Sequence, residues 1–262
     1  MKKLVIAGCG YLAEIVVNAV INGLLPEYDL VGVYSRTASK ADYLAAKMQQ
    51  HGKPCIACTA LDDLLALKPD YLVETTSPAG MKQIALPALK NGTSVITLSI
   101  GALADTDFYN EVKETAKANG TRVYIASGAT GGFDVLRTAT LMGNASARFF
   151  NEKGVRALRR SVVYDPSLET EKRIVFSGTA REAIGVFPTG LNVSVAASLA
   201  SVGPEKMQVA MQSTPGFIGD TQRVEIKNDQ VHAVVDVYSA TSEIAGWSVV
   251  STLINIVSPI VF

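Results

Sequence analysis

Residues 4–13 read LVIAGCGYLA. Leu4, Val5, Ile6 and Ala7 form a short apolar run, the pattern of a buried parallel strand. Gly8, Gly10 and Ala13 follow at the spacing G-x-G-x-x-A, and helical spacing continues to about residue 22. Strand, glycine turn and helix, in that order, constrain the fold more than any other stretch of the chain. Gly8 permits a tight turn, Gly10 lets the backbone approach a ligand, and Ala13 is small enough for the helix to pack on the strand. The helix start, with Tyr11 and Leu12, offers N–H groups and the positive end of a dipole. The ligand expected from this context is the pyrophosphate of a dinucleotide, bound by Gly8, Gly10, Tyr11, Leu12 and Ala13.

Strands and helices alternate from there to about residue 126. Strands are expected near 30–34, 53–59, 70–74, 94–98 and 122–125, with helices near 39–50, 61–67, 81–91 and 105–119. Such alternation predicts a doubly wound parallel sheet, the Rossmann arrangement. After residue 127 the pattern changes. A helix is expected over about 132–142, then alternating segments at 155–163, 173–176, 206–212, 222–226 and 231–237, with helices at 180–186 and 191–202. Grouped strands with few helices predict an antiparallel sheet covered on one face. The division expected is a dinucleotide-binding domain over 1–126 and an α+β substrate and dimerisation domain over 127–242. The apolar run near the C terminus is expected to form a helix, about 243–262, that packs back on the first domain. Ser248, Ser251, Thr252, Asn255 and Ser258 interrupt that run, which argues against a membrane span.

The 262 residues carry 24 basic and 24 acidic side chains. A balanced charge gives no reason to expect nucleic acid or an anionic membrane as partner. Met1-Lys2-Lys3 runs straight into a strand, so the expectation is a cytoplasmic protein without a signal peptide. Cys9, Cys55 and Cys58 make no disulfide framework. The C-x-x-C formed by the last two sits in a strand-like run, so structural thiols are expected there and no metal site.

Ser35-Arg36 ends the second strand, where NAD-specific folds carry an acid for the ribose 2′-OH. A serine and an arginine suit a 2′-phosphate, and Lys40 adds charge. The expected cofactor is therefore NADP or NAD, with NADP favoured. Thr75, Thr76 and Ser77 end the fourth strand and Ser99 follows the fifth. The loop Ser127-Gly128-Ala129-Thr130-Gly131-Gly132 follows the sixth. Carboxyl ends of strands are where open α/β sheets bind ligands, and these small residues leave room for a nicotinamide and a small substrate.

Several longer segments carry more information. GCGYLA, ETTSPAGMKQIALPALKNG, SIGAL, SGATGGFDVL, FSGTAREAIGVFPTGLNVSVAASLA and TPGFIGDTQRVEI span nearly the whole chain. Together they make it resemble the L-aspartate dehydrogenases, NAD(P)-dependent oxidoreductases. The FSGTAREA to NVSVAASLA segment is the most specific. The resemblance implies a dinucleotide-binding domain joined to an α/β substrate domain. It also implies interconversion of aspartate and iminoaspartate by hydride transfer at Cα, the imine hydrolysing to oxaloacetate and ammonia. It places cofactor contacts on Ala129 and Asn192.

The sequence also departs from that family. The family's N-x-H, whose His is taken as the acid/base, falls on Asp220 and Gln222. A glutamine hydrogen-bonds but does not exchange protons near neutral pH. The family's K-P-P reads here as Val163-Tyr164-Asp165, which removes a cation for a substrate carboxylate. Its N-P-K-T-S reads Ser239-Ala240-Thr241-Ser242. The candidate catalytic set is thus Gln222, Asp220 and Asn192, with Asp220 a base if burial raises its pKa. His51 and His232 are expected outside the site, and Asp134 as a helix-start residue. The expectation is an aspartate dehydrogenase-like enzyme, with an altered substrate possible in view of Gln222. The reading from another class is a non-catalytic NADP-binding sensor or regulatory protein. A homodimer is expected through the second domain.

Overall fold

The computed structural model describes residues 1–188 and 190–262; Thr189, inside the FPTGLN stretch, lies outside them. The first eleven elements alternate: β1 (Lys2–Ala7), α1 (Tyr11–Ile21), β2 (Tyr28–Tyr34), α2 (Ala38–Gln50), β3 (Ile56–Cys58), α3 (Leu61–Ala66), β4 (Tyr71–Glu74), α4 (Pro78–Lys90), β5 (Ser94–Thr97), α5 (Thr106–Ala118) and β6 (Val123–Ile125). Their strands form one parallel sheet in the order β3-β2-β1-β4-β5-β6. The order reverses between β1 and β4, and ligands bind doubly wound sheets at that switch point. The central strands are buried, which is why LVIA and YLV read as apolar runs rather than alternating ones.

The second sheet is built from α6 (Phe133–Leu141), β7 (Ser146–Gly154), α7 (Val155–Leu158), β8 (Arg173–Thr179), α8 (Ala180–Val186), α9 (Asn192–Leu199), β9 (Gln208–Thr214), β10 (Asp220–Lys227) and β11 (His232–Ser239). The strand order is β11-β10-β7-β9-β8. Two expectations are corrected here. Residues 155–163 are not a strand: the strand is β7, one segment earlier, and Val155–Leu158 is a helical turn. Val155 and Leu158 are both buried and stand three apart, a helical spacing, whereas Ala147, Phe149 and Asn151 alternate into the interior. Arg148, Asn151, Glu152 and Lys153 made that alternation look like a polar loop. Nor is the sheet purely antiparallel, because β7 and β9 run parallel. The intervening β8, α8 and α9 provide the long crossover a parallel pair requires.

One face of this sheet carries Phe149, Val209, Met211, Val224 and Ile226, packed with Leu136, Ala139, Ala183, Phe187 and Ala197 from its helices. The other face carries Arg148, Phe150, Arg223 and Glu225, with ion pairs Arg148–Glu225 at 2.7 Å and Arg223–Asp236 at 3.0 Å.

The last helix, α10 (Glu243–Val257), joins the core of the first sheet. Val249, Val250 and Leu253 are buried with Leu4, Ile6, Val16 and Val20. The Tyr28 hydroxyl donates to the Leu253 carbonyl at 2.7 Å. A Cβ at Gly246 would fall 2.6 Å from the Ile15 side chain, so glycine is what lets α10 approach α1. No helix among the described residues is long and apolar enough to cross a membrane. By compactness, one unit comprises Met1–Ala102, Thr106–Ala126 and Ala245–Phe262, and the other Leu103–Asp105 and Ser127–Ile244.

Candidate active site

In the first unit, the end of β1 turns sharply at Gly8, whose φ is +98°. A Cβ there would lie 2.7 Å from the carbonyl carbon and oxygen of Thr75, so the loop after β4 rests directly on the turn. The Thr75 hydroxyl donates to the Gly8 carbonyl at 2.7 Å, and Gly8 N–H donates to Tyr34 O at 2.8 Å. Gly10, the N-cap of α1, makes no side-chain cap, and a Cβ on it would meet nothing within 4 Å. The helix start therefore opens onto space rather than onto protein. That space is a cavity of about 290 Å³, lined in part by Gly8, Gly10, Ser35, Arg36, Lys40, Thr75 and Thr76. A tight glycine turn, an uncapped helix start and an open volume above it fit a dinucleotide pyrophosphate. No carboxylate lines the cavity among the described residues, and two cations do, Arg36 and Lys40.

Glu74 organises the strand ends beneath this cavity. Its carboxylate is fully buried. It accepts Thr76 N–H at 2.7 Å, the Thr76 hydroxyl at 2.5 Å, the Thr97 hydroxyl at 2.6 Å, Ser99 N–H at 3.3 Å and the Ser99 hydroxyl at 2.8 Å. One acceptor thus joins the loops that follow β4 and β5. Ser99 serves this network. Ser77 caps α4, accepting Gly80 N–H at 3.2 Å. Tyr11 is exposed at the start of α1, and Ala13 is buried against the sheet. The cavity thus unites Gly8, Gly10, Ser35, Arg36, Thr75 and Thr76, while Tyr11, Leu12, Ala13, Ser77 and Ser99 stand outside its lining.

In the second unit, register places six polar residues at one end of the helix-covered sheet face. Asp220 stands opposite both Ser239 and Lys153, Lys153 beside Ser213, and Gln222 opposite Asn151. Lys153 Nζ pairs with Asp220 Oδ2 at 3.1 Å. Gln222 Nε2 donates to the same oxygen at 3.0 Å, and Asn151 Nδ2 donates to Asp220 Oδ1 and to the Thr221 carbonyl at 2.9 Å. Asp220 is therefore held by a cation and two amides rather than enclosed by apolar side chains. Asn151 is 0% exposed and Gln222 is 5% exposed. The Asn151 Oδ1, Gln222 Oε1, Ser213 Oγ and Ser239 Oγ atoms are buried without a hydrogen-bond partner. Buried polar atoms are nearly always paired, so four orphans in one cluster leave hydrogen-bonding capacity open to a polar ligand.

Lys153 and Asn151 are the residues that sequence reasoning missed. Their alternation in phase with Phe149 was the available signal. The other candidates are placed plainly. Ala129 lies in the glycine-rich loop and Asn192 in the first turn of α9; their neighbours meet, since a Cβ on Gly128 would lie 3.2 Å from Val193. Thr130 in the same loop holds a fifth buried hydroxyl without a partner. Asp134 is exposed in the first turn of α6. His51 is exposed beside the Lys47 carbonyl, and His232 pairs with Glu225 at 3.0 Å on the opposite sheet face from Gln222. Thr241 receives the Glu243 N–H at 3.3 Å, at the start of α10. The three cysteines are buried, and burial pushes the Cys9 and Cys55 thiols up to about 12. Such thiols are neither metal ligands nor nucleophiles near neutral pH.

Comparison with known proteins agrees with both units. Residues 8–126 match the family described as homoserine dehydrogenase, NAD binding domain, and residues 134–256 match aspartate dehydrogenase, C-terminal. An L-aspartate dehydrogenase of Methanococcus maripaludis is 32% identical over 213 residues, covering 80% of this chain and 78% of that one. One of Methanocella arvoryzae is 27% identical over 274 residues, covering 99% and 98%. The crystal structure of aspartate dehydrogenase from Thermotoga maritima superimposes with a TM-score of 0.77 at 24% identity, covering 100% and 99%, and so shares the fold. With its glycine turn, its parallel sheet and its matched second unit, the chain belongs to the L-aspartate dehydrogenase family and is an NAD(P)-dependent dehydrogenase.

Proposed function

We propose that this enzyme interconverts aspartate, or a closely related amino acid, with its imino acid by hydride exchange with NADP. The observation that carries the reading is the polar row of Asn151, Lys153, Asp220 and Gln222. It sets unpartnered amide oxygens beside a cation. The oxygens suit the N–H groups of an amine or imine, and the ammonium suits a carboxylate. Gln222 and Asp220 bind on the substrate side. Asn192 and Ala129 contribute to cofactor placement, and Asn192 also counts among the catalytic set.

Gly8, Gly10, Tyr11, Leu12 and Ala13 hold the pyrophosphate on this reading, and Ser35, Arg36 and Lys40 a 2′-phosphate. Thr75, Thr76, Ser77 and Ser99 shape the strand ends for the nicotinamide side. When bound, the nicotinamide supplies hydride chemistry. The chain's own residues orient the substrate and handle its protons. Two cations without a carboxylate at the cavity support NADP over NAD.

A second reading concerns the substrate alone. Gln222 stands where the family carries its acid/base His, which favours a related 2-oxo or imino acid over aspartate itself. Three unpaired thiols support a reducing, cytoplasmic setting. The sheet face bearing Arg148, Phe150 and Arg223 is our candidate for a two-fold dimer interface. Light scattering at the mass of one 27.7 kDa chain would remove it.

The deciding experiment titrates the purified protein with NADPH and NADH by nicotinamide fluorescence, then adds oxaloacetate and ammonia. Binding with oxidation supports aspartate chemistry. Binding without oxidation, followed by turnover of another oxo acid with ammonia, supports the second reading. Binding without turnover of any such acid rejects the proposed reaction.

A further inference from the structure

Among the described residues of the polar row, only two side chains titrate. Asn151 and Gln222 are amides, and Ser213 and Ser239 are hydroxyls. Lys153 and Asp220 are the ionisable pair, 67 residues apart in sequence and 3.1 Å apart in space. Asp220 is already occupied. Both of its oxygens accept hydrogen bonds, from Lys153, Gln222 and Asn151. Lys153 has three N–H bonds, of which Asp220 takes one. Its side chain is only 16% exposed. The orphaned Gln222 and Asn151 oxygens belong to side chains whose NH₂ groups are fixed on Asp220, which fixes where those oxygens lie.

We propose that Lys153 is the catalytic proton donor and acceptor of this enzyme, and that Asp220 is its positioning residue. The inference rests on the reading that the substrate is an amino or imino acid. In the reductive direction the hydride reaches Cα, the C=N π bond breaks, and its electron pair on nitrogen takes a proton from Lys153 Nζ. One N–H bond breaks on Lys153 and one forms on the substrate. The carbon is reduced and the cofactor oxidised. The neutral Lys153 regains its proton from water. In the oxidative direction the same transfer runs in reverse, the N–H bond breaking on the substrate nitrogen and forming on Lys153 Nζ. Gln222 Oε1 and Asn151 Oδ1 accept the substrate's N–H bonds and hold the nitrogen facing Nζ. A glutamine in this row thus orients, while the proton moves through the lysine beside it.

The test compares Lys153→Met, Lys153→Arg and the doubly neutral pair Lys153→Met with Asp220→Asn. The double variant leaves no lone charge in the row, which keeps the test interpretable should Lys153→Met fold poorly. Each is assayed with L-aspartate and NADP, with folding followed by circular dichroism and cofactor binding by nicotinamide fluorescence. Arginine keeps the charge and the Asp220 partner but does not release a proton. The expected result is a kcat lower by roughly 10²–10⁴-fold in all three, the scale of a lost general acid or base. NADPH binding stays unchanged, and KM for aspartate is lower in Lys153→Arg than in Lys153→Met. A Lys153→Arg enzyme with near-parental kcat would overturn the proton role and leave the reaction assignment standing. Parent protein inactive with every amino acid would overturn both.

Discussion

Thr75 donates its hydroxyl to the carbonyl of Gly8 at 2.7 Å, across 67 residues of chain. The contact leaves no room for a side chain at Gly8, whose φ of +98° also disfavours one. Gly8→Ala is expected to displace the loop after β4 and to strain the turn by about 1–3 kcal/mol. NADPH affinity should fall by at least roughly tenfold. A fluorescence titration giving an unchanged Kd would contradict the placement of the cofactor on this turn.

Arg36 should discriminate between the two cofactors. A charged hydrogen bond to a 2′-phosphate is worth about 1.5–3 kcal/mol. Arg36→Ala should therefore weaken NADPH roughly ten- to a hundredfold while leaving NADH nearly unchanged. Equal losses for both would mean that Arg36 meets no 2′-phosphate.

Glu74 is a test of stability rather than of chemistry. Of its five incoming hydrogen bonds, three come from the buried Thr97 and Ser99 and two from Thr76. Hydroxyls can rotate to accept, but the Thr76 and Ser99 N–H groups cannot. Glu74→Ala leaves the Thr76 N–H without its acceptor, at about 1–3 kcal/mol, while Ser99 N–H keeps the Thr97 hydroxyl oxygen at 3.0 Å. Urea denaturation should show a loss of about 1–3 kcal/mol, with Glu74→Gln losing less. A midpoint unchanged in both variants would show that water replaces the carboxylate freely.

The buried thiols set an alkaline limit. Burial raises Cys9 and Cys55 from about 9 to about 12 in the folded protein. Below pH 9 both states hold their protons and the contribution is fully present. Between pH 9 and 12 the unfolded chain loses its protons while the folded one keeps them, so stability falls as pH rises. Chemical denaturation across pH 8–11 should show this slope, and Cys9→Ala with Cys55→Ala should flatten it. Thiol reagents at pH 8 should label the native protein far more slowly than the unfolded one.

The Rossmann unit was legible in the residues because its signals are local. LVIA reads as a buried strand, G-x-G-x-x-A as a phosphate turn, and β-α alternation as a parallel sheet. Ser35-Arg36 follows β2 directly, so even the candidate 2′-phosphate contact lies within one element of its strand. The motif segments of the second half carried the family in the same way. What local pattern could not supply was register. Lys153 and Asp220 meet only because β7 and β10 pair with these two residues opposite, and a slip of one residue in either strand would turn its side chain to the other face, away from its partner. For the same reason β7 was misplaced by one segment, since its polar residues break an apolar rhythm they satisfy only within the folded sheet. The parallel pairing of β7 with β9 likewise depends on a crossover of distant elements. Composition and periodicity determined which elements form. The long-range pairing of strands decided which side chains share the site, because a hydrogen-bonded ladder, and not the neighbour in sequence, sets what stands opposite.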